Sequence, residues 1–150
     1  MKIIAFFPGG YPNGSSPMSY RLHYYLKALQ SEGVQVEIVM PTSKKKENGF
    51  FDGVQYSYVK TTILTRFNKL KLANEYAEIC GSLSKNCDVL FTTIRDNTFL
   101  KKIISSVHKN DGKIAIELNE NPYSFRTSRL DSQFSRYIKR KYFLTKLIPK

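Results

Sequence analysis

Two adjacent glycines near the N-terminus form the first feature of the sequence that could do chemistry. Gly9 and Gly10 follow the apolar run of residues 3–7, and Gly14 comes shortly after them. Glycine has no Cβ, so the backbone can turn sharply there and a ligand can approach its N–H groups. A helix that starts behind such a loop adds a partially positive end, which suits a phosphate or another anion. The competing interpretation is a plain turn between a strand and a helix.

The spacing of these glycines argues against a dinucleotide cofactor. It matches neither GxGxxG nor GxxxxGK[ST]. A dinucleotide fold also places an acidic residue at the end of the second strand, where this chain has Met40 and Pro41. We therefore expect no NAD or FAD and no other cofactor. The two histidines, His23 and His108, lack the spacing of metal ligands, so the sequence predicts no metal site either.

Charged residues that follow two later strands are the other candidates. Glu117 and Glu120 lie at and after the end of the segment "KIAIEL", and Arg95 and Asp96 follow the segment "DVLFTT". The carboxylates could act at a reaction site, and Arg95 could bind ligand oxygens. Alternatively, Glu117 is only the end of a strand, and Asp96 caps the next helix while Arg95 is solvated.

The elements that position these residues alternate between strands and helices. Short apolar or alternating runs predict strands, and apolar residues at helical spacing predict helices. Such alternation implies a parallel sheet with helices on both faces, in the doubly wound order 3-2-1-4-5. The fold class is therefore α/β, Rossmann-like, in one domain over residues 1–150. The predicted strands cover residues 3–7, 34–40, 53–62, 88–93 and 113–118, and helices begin near residues 17, 68, 97 and 128.

Composition limits the partners. The formal net charge is +12, from 24 basic and 12 acidic residues, which favours contact with phosphates, nucleic acid or an anionic membrane. The basic segment 126–150 could lie on anionic lipid headgroups. Nucleic acid is the less favoured partner, because the phenylalanines occupy positions typical of a core. The apolar run near the start is too short for a signal peptide or a membrane span, which predicts a cytoplasmic location.

Two segments carry a resemblance to a known family. The stretch "PGGYPNGSSPMSYRLHYYLKALQSEGVQVEIVMP" resembles the opening of the family-4 glycosyltransferases, which have the GT-B architecture of two Rossmann domains. The later "IAIELNENPYS" is similar to that family's segment after the fifth strand. The resemblance spans essentially the whole chain and implies an acceptor-binding N-terminal domain. It also implies that the donor-binding C-terminal domain is absent from this chain and that the chain alone is inactive.

The resemblance also assigns roles to residues. It implies that Glu120, with Asn119 before it, lies at the reaction site, although many relatives have a histidine in that turn. It implies that a sugar is transferred from a nucleotide sugar to a saccharide or lipid-linked acceptor with retention of its anomeric configuration. The implied setting is bacterial surface polysaccharide assembly at the inner face of the membrane. It implies that Gly9 and Gly10 line the cleft near the donor phosphates and that Tyr20 and Arg21 touch the acceptor. With Tyr11, and with Arg95 and Glu117 from the strand ends, the candidate substrate-binding residues are Gly9, Gly10, Tyr11, Tyr20, Arg21, Arg95 and Glu117. Two alternatives remain: a stand-alone flavodoxin-like domain that binds a small ligand, and a basic domain that binds nucleic acid.

Overall fold

The periodicity of the apolar residues is reflected in the elements of the fold. The computed structural model describes residues 1–12, 16–62 and 68–117. Within them, every predicted strand and helix is present, with ends shifted by a few residues; the helix predicted near residue 128 lies outside the described residues. In chain order the elements are β1 (Lys2–Phe6), α1 (Pro17–Ser31), β2 (Gln35–Thr42), β3 (Gly49–Phe51), β4 (Val54–Lys60), α2 (Lys69–Ser84), β5 (Val89–Thr92), α3 (Asn97–Lys109) and β6 (Ile114–Ile116).

The strands form one six-stranded sheet in the order β3-β4-β2-β1-β5-β6. Every neighbouring pair is parallel except β3 and β4, which are antiparallel. The strands predicted as third, fourth and fifth are β4, β5 and β6. The predicted order 3-2-1-4-5 is therefore confirmed, and the chain is an α/β protein with a Rossmann-like, mostly parallel sheet.

β3 is an element that the sequence analysis did not predict. Asp52 and Gly53 connect it to β4 in a two-residue turn, and both have positive φ, 48° and 80°. Such turns match the twist of an antiparallel hairpin, and Asp-Gly is one of the sequences that favour them. The lysine-rich segment before β3 hides this signal, because its polarity indicates a loop.

β2 also extends further than the sequence predicts. Pro41 was expected to end it, but the strand continues to Thr42. In the sheet, Pro41 is opposite Val59 of β4, while the pairing with β1 ends at Val39. Proline lacks an N–H donor and is tolerated in a strand where one side needs no hydrogen bond.

Alternate residues of the central strands supply two cores on opposite faces of the sheet. Ile3 and Ala5 of β1 pack on the face covered by α1, while Ile4 and Phe6 pack on the other face. α1 contributes Leu22 and Leu26 to the first core. The second core contains residues of α2 and α3: Ala77, Cys80, Leu100, Ile103 and Val107. Helices therefore cover both faces, as predicted, because the strands are apolar on both sides.

The beginning of α1 follows the capping signal in the sequence. Ser16 Oγ accepts a hydrogen bond from the backbone N–H of Ser19 at 3.2 Å, and Pro17 occupies the first helical position. Proline has no N–H to leave unpaired there, and its φ suits the first turn. This cap positions the first turns of α1, and with them Tyr20 and Arg21, above the carboxyl edge of the sheet.

Candidate functional site

The candidate site lies at the carboxyl edge of the sheet, where the strand order reverses. β1 and β5 are parallel neighbours, and Phe6 is opposite Thr92 in their register. The chain leaves β1 toward the face covered by α1 and leaves β5 toward the face covered by α3. Open α/β sheets bind their ligands where connections diverge in this way.

Packing explains the glycine at position 9. A Cβ added to Gly9 would lie 2.3 Å from Cζ of Phe7, whose ring is 4% exposed. Real Cβ atoms do not approach another carbon so closely, so a side chain at this position would displace the Phe7 ring. Gly9 does not have a positive φ, in contrast to Gly33 and Gly53. The absent side chain therefore serves close packing of the loop on β1, while Gly10 is exposed.

Tyr11, the residue after the two glycines, is part of the core. Its side chain is 4% exposed and belongs to the cluster on the α1 face of the sheet. Its ring makes edge contacts with Phe51 and Tyr56, each with centroids 5.9 Å apart. Tyr58 donates a hydrogen bond from its hydroxyl to the Tyr11 carbonyl oxygen at 3.2 Å. These contacts fasten the glycine loop to β4 and to the hairpin.

The Tyr11 hydroxyl starts a chain of polar contacts that runs from the core to the surface. It donates to Nδ1 of the buried His23 at 2.7 Å, and Nε2 of His23 donates to Asp52 at 3.3 Å. The tautomer with its proton on Nε2 satisfies both bonds. Asp52 also accepts a bond from Lys27, and this ammonium, followed by His23, holds the pKa of Asp52 below its usual range.

The raised pKa of Tyr11 predicts that the protein loses stability in alkaline solution. Burial, followed by the charge of Asp52, raises its pKa from 10.0 to about 12. Because the folded pKa lies above the unfolded one, this stabilisation is complete below the unfolded pKa and is lost as pH rises toward the folded one. We expect Tyr11 to lower the free energy of unfolding by about 1.4 kcal/mol at a pH about one unit above its unfolded pKa. Urea denaturation of the chain and of Tyr11→Phe over this range measures the effect.

The control for this prediction is Tyr24→Phe, because the Tyr24 side chain is 64% exposed. Tyr11→Phe loses the hydrogen bond to His23 at every pH, so the comparison rests on the change with pH and not on the absolute stability. The expected result is a shallower alkaline decline for Tyr11→Phe alone. Parallel declines in all three proteins would contradict the assignment.

Two of the candidate residues, Arg21 and Glu117, meet at the carboxyl edge. Nε of Arg21 in α1 lies 3.1 Å from Oε1 of Glu117, which follows β6. The Glu117 side chain is 10% exposed and that of Arg21 is 38% exposed. The backbone N–H of Glu117 donates to the Thr92 carbonyl at 3.0 Å, which holds the residue beside β5. The sequence separates the two residues by most of the chain, and only the sheet order brings them together.

The carboxylate of this pair retains its capacity to accept hydrogen bonds. The contact with Arg21 is an ion pair without hydrogen-bond geometry, and neither Glu117 oxygen has a hydrogen-bond partner in the described part of the chain. A buried polar group without partners is costly, and in native proteins such a group calls for an explanation. A ligand with hydroxyl groups would satisfy these oxygens, since hydrogen bonds to an ionised carboxylate are short and strong.

The other candidate residues occupy different surroundings. Tyr20 is 58% exposed on α1, one residue before Arg21. Arg95 is half-buried after β5. Asp96 caps α3 by accepting a hydrogen bond from the Thr98 N–H at 2.9 Å, which is the alternative role predicted for it from the sequence. Asn119 and Glu120 lie outside the described residues, and their roles stay predictions.

His23 and Asp52 are polar residues whose connection the sequence analysis missed. For His23, the available signal is its position between Leu22 and Leu26 on the buried face of α1. Asp52 belongs to the Asp-Gly turn that marks the hairpin. Neither signal predicts that the turn reaches α1, because this depends on how β3 folds back on β4.

The described residues contain no candidate metal site and no helix that could span a membrane. Over residues 1–12, 16–62 and 68–117, no group of three or more His, Cys, Asp or Glu side chains is placed to hold a metal ion. The helices in the same residues are all too short or too polar to cross a membrane. Cys80 and Cys87 are free, and burial raises the pKa of both thiols.

Comparisons with known proteins give one distant structural match. No family model matches the sequence, and no curated protein matches it. Among solved structures, the chain is similar to an alpha-glucosyltransferase in complex with UDP and a 13-mer DNA containing a central A:G mismatch, with 13% identity and a TM-score of 0.45. The match covers 93% of this chain and 35% of the other, so the chain spans about a third of the length of that protein.

Proposed function

We propose that this chain is the N-terminal, acceptor-side domain of a glycosyltransferase that moves a sugar from a nucleotide-sugar donor to a saccharide or lipid-linked acceptor. One observation carries the proposal: Arg21 and Glu117 meet at the carboxyl edge of a Rossmann-like sheet, and within residues 1–12, 16–62 and 68–117 neither oxygen of the buried carboxylate has a hydrogen-bond partner. The sequence resemblance to family-4 glycosyltransferases supplies the reaction class.

The pair fits a sugar because of the groups that it offers. Sugar hydroxyls are hydrogen-bond donors, and Glu117 presents two oxygens that can accept from them. Arg21, beside the carboxylate, can itself donate from the terminal nitrogens of its guanidinium. Tyr20, on the exposed side of α1, adds an aromatic surface that a sugar ring could contact. The acceptor would therefore lie between α1 and the end of β6.

The remaining roles rest on the resemblance. The donor would be held mainly by a second domain, with the backbone at Gly9 and Gly10 facing its phosphates. Transfer with retention would pass through an oxocarbenium-like transition state that positioned dipoles stabilise. Glu120 and Asn119 would lie near the reacting carbon, and Arg95 would contact acceptor oxygens. Surface polysaccharide assembly at the inner face of a membrane, with segment 126–150 on anionic lipid, would be the setting.

The natural length and the activity of the protein test this proposal together. The protein would be purified from its source cells, its intact mass measured, and nucleoside diphosphate release assayed with a panel of nucleotide sugars and acceptors. We expect a mass of about 40 kDa, which is typical of two domains, and nucleoside diphosphate release that depends on the acceptor. A mass that matches 150 residues, with tight binding of one small ligand or of nucleic acid, would instead support one of the alternative functions.

Glu120→Gln tests the predicted reaction site in the same protein. The substitution keeps the shape of the side chain and removes its charge, so we expect at least about a tenfold loss of transfer with unchanged folding. Steady-state rates and circular dichroism measure the two quantities. The exposed Glu32, at the end of α1, supplies the matched control Glu32→Gln. Full activity of Glu120→Gln would remove Glu120 from the mechanism.

A further inference from the structure

A second concave surface lies at the same edge of the sheet, outside the Arg21–Glu117 pair. It is a depression of about 440 Å³ beyond the ends of β2 and β4. Lys44, Lys45 and Lys46 line it from the connection after β2, and Lys60 lines it from the end of β4. Thr42 and Tyr58 add a hydroxyl and an aromatic ring. We call this surface the lysine depression.

Hydrogen bonds hold the connection that carries the three consecutive lysines at both of its ends. Thr42 Oγ1 accepts from the Lys44 N–H at 3.2 Å and donates to the Lys44 carbonyl at 3.3 Å. At the other end, Asn48 Oδ1 accepts from the Tyr58 N–H at 2.9 Å. The lysines are therefore presented from a backbone that is already tied to β2 and β4, which lowers the entropic cost of gathering them around a ligand.

No carboxylate among the described residues neutralises the charge in the lysine depression. None of the four lysines is within 4.0 Å of a carboxylate oxygen in the part of the chain that the structure describes. Glu47 follows Lys46 in sequence but does not line the depression. Lys46 Nζ lies 5.0 Å from the centre of the Tyr58 ring, a cation–π contact. Like charges gathered in this way repel one another, and a bound anion relieves the repulsion.

We propose that the lysine depression binds a phosphate-bearing ligand. Four ammonium groups from two elements suit an anion with several charges, and lysine is a common phosphate binder that acts as a point charge. The volume lies within the range of small-molecule sites, which is large enough for a diphosphate with part of its attached group. This binding does not depend on the proposed transfer reaction. The Tyr58 hydroxyl, bonded to the Tyr11 carbonyl, links the depression to the glycine loop.

Binding of inorganic tripolyphosphate to the 150-residue chain tests the proposal. The test variant is Lys44→Gln with Lys60→Gln, which removes one charge from each of the two elements. The control is Lys85→Gln with Lys113→Gln, two exposed residues outside the depression. Both variants lower the net charge equally, so general attraction to a chain of net charge +12 affects them alike. Isothermal titration calorimetry at several salt concentrations gives the Kd values.

We expect the test variant to bind about tenfold more weakly than the parent chain, and the control less than about twofold. Comparable weakening in both variants, or no binding by the parent chain, would overturn the proposal. A second arm identifies the source of the phosphate, using phosphatidylcholine vesicles with and without phosphatidic acid. Capture by the acidic vesicles that is lost only in the test variant indicates a lipid headgroup. Tripolyphosphate binding without vesicle capture indicates a soluble phosphate ligand, and both results support the site.

Discussion

Replacing Arg21 with glutamine is expected to lower the free energy of unfolding by about 2 kcal/mol. Removing one partner of a buried ion pair leaves an uncompensated charge and costs roughly 3–5 kcal/mol. The Arg21 side chain is 38% exposed, so solvent screening reduces its share of that cost. The Glu117 carboxylate is the more deeply buried partner, and it is left without compensation. Urea denaturation of the purified chain measures the change.

Substituting the other partner, Glu117, separates the energetic contributions of the two residues. Glu117→Gln leaves Arg21 able to turn toward water, so we expect it to cost only about 0.5 kcal/mol. In the double variant no buried charge remains, and its stability is expected to exceed that of Arg21→Gln alone by about 1 kcal/mol. If the effects of the two substitutions simply add, the two groups do not interact and the ion pair has no energetic consequence.

The same pair has a functional readout if the proposed transferase activity holds. In the protein of natural length, Glu117→Gln is expected to lower kcat/KM about tenfold or more, because a charged acceptor of sugar hydroxyls becomes a neutral amide. Most of the effect should appear in KM if Glu117 binds the acceptor sugar in the ground state. A variant with native stability and native kcat/KM would show that the carboxylate does not contact the substrate.

Gly9→Ala is the second substitution with a large expected effect, a loss of about 2–3 kcal/mol in the free energy of unfolding. The new Cβ would lie 2.3 Å from Cζ and 2.6 Å from Cε1 of Phe7. Phe7 is buried and its ring is rigid, so either the ring or the loop backbone must move, and overpacking of this kind costs about 1–3 kcal/mol. Denaturation of the purified chain measures the loss.

Phe7→Leu in combination with Gly9→Ala supplies the control. Leucine removes the ring atoms that the new Cβ would meet, so the double variant is expected to lose at least about 1 kcal/mol less than the sum of the single losses. Additive losses would show that the cost of Gly9→Ala has another origin. The double variant also tests the phosphate interpretation of the loop. If it folds and binds the nucleotide sugar normally in the protein of natural length, position 9 serves packing alone.

The contacts of Tyr11 hold the glycine loop in place. Tyr11 is one of the candidate substrate-binding residues. In the fold its ring is buried, its hydroxyl is bonded to His23, and its carbonyl accepts from Tyr58. The loop is therefore held to the hairpin and to β4 as well as to β1. The Tyr11 ring is therefore almost inaccessible, in contrast to the exposed Gly10.

The order of the five predicted strands, β4-β2-β1-β5-β6, is the part of the fold that the sequence by itself determines. Residues 3–7 are apolar without interruption, which is typical of a strand buried on both faces. The alternation with amphipathic helices then favours parallel strands joined by right-handed crossovers, and few strand orders remain. The start of α1 at Ser16 and Pro17 and the cap of α3 at Asp96 are equally local, because both depend on groups within one turn.

The tertiary structure alone decided the contacts of the candidate site. Arg21 and Glu117 meet because β1 and β5 are neighbours and β6 follows β5, and sequence periodicity carries no information on such side-chain distances. The His23–Asp52 contact depends on the hairpin folding back beside α1, and the lysine depression depends on two strand ends lying side by side. The packing of Gly9 against Phe7 is likewise invisible in the sequence. Local propensity and burial patterns determine the elements, whereas long-range packing determines which side chains meet.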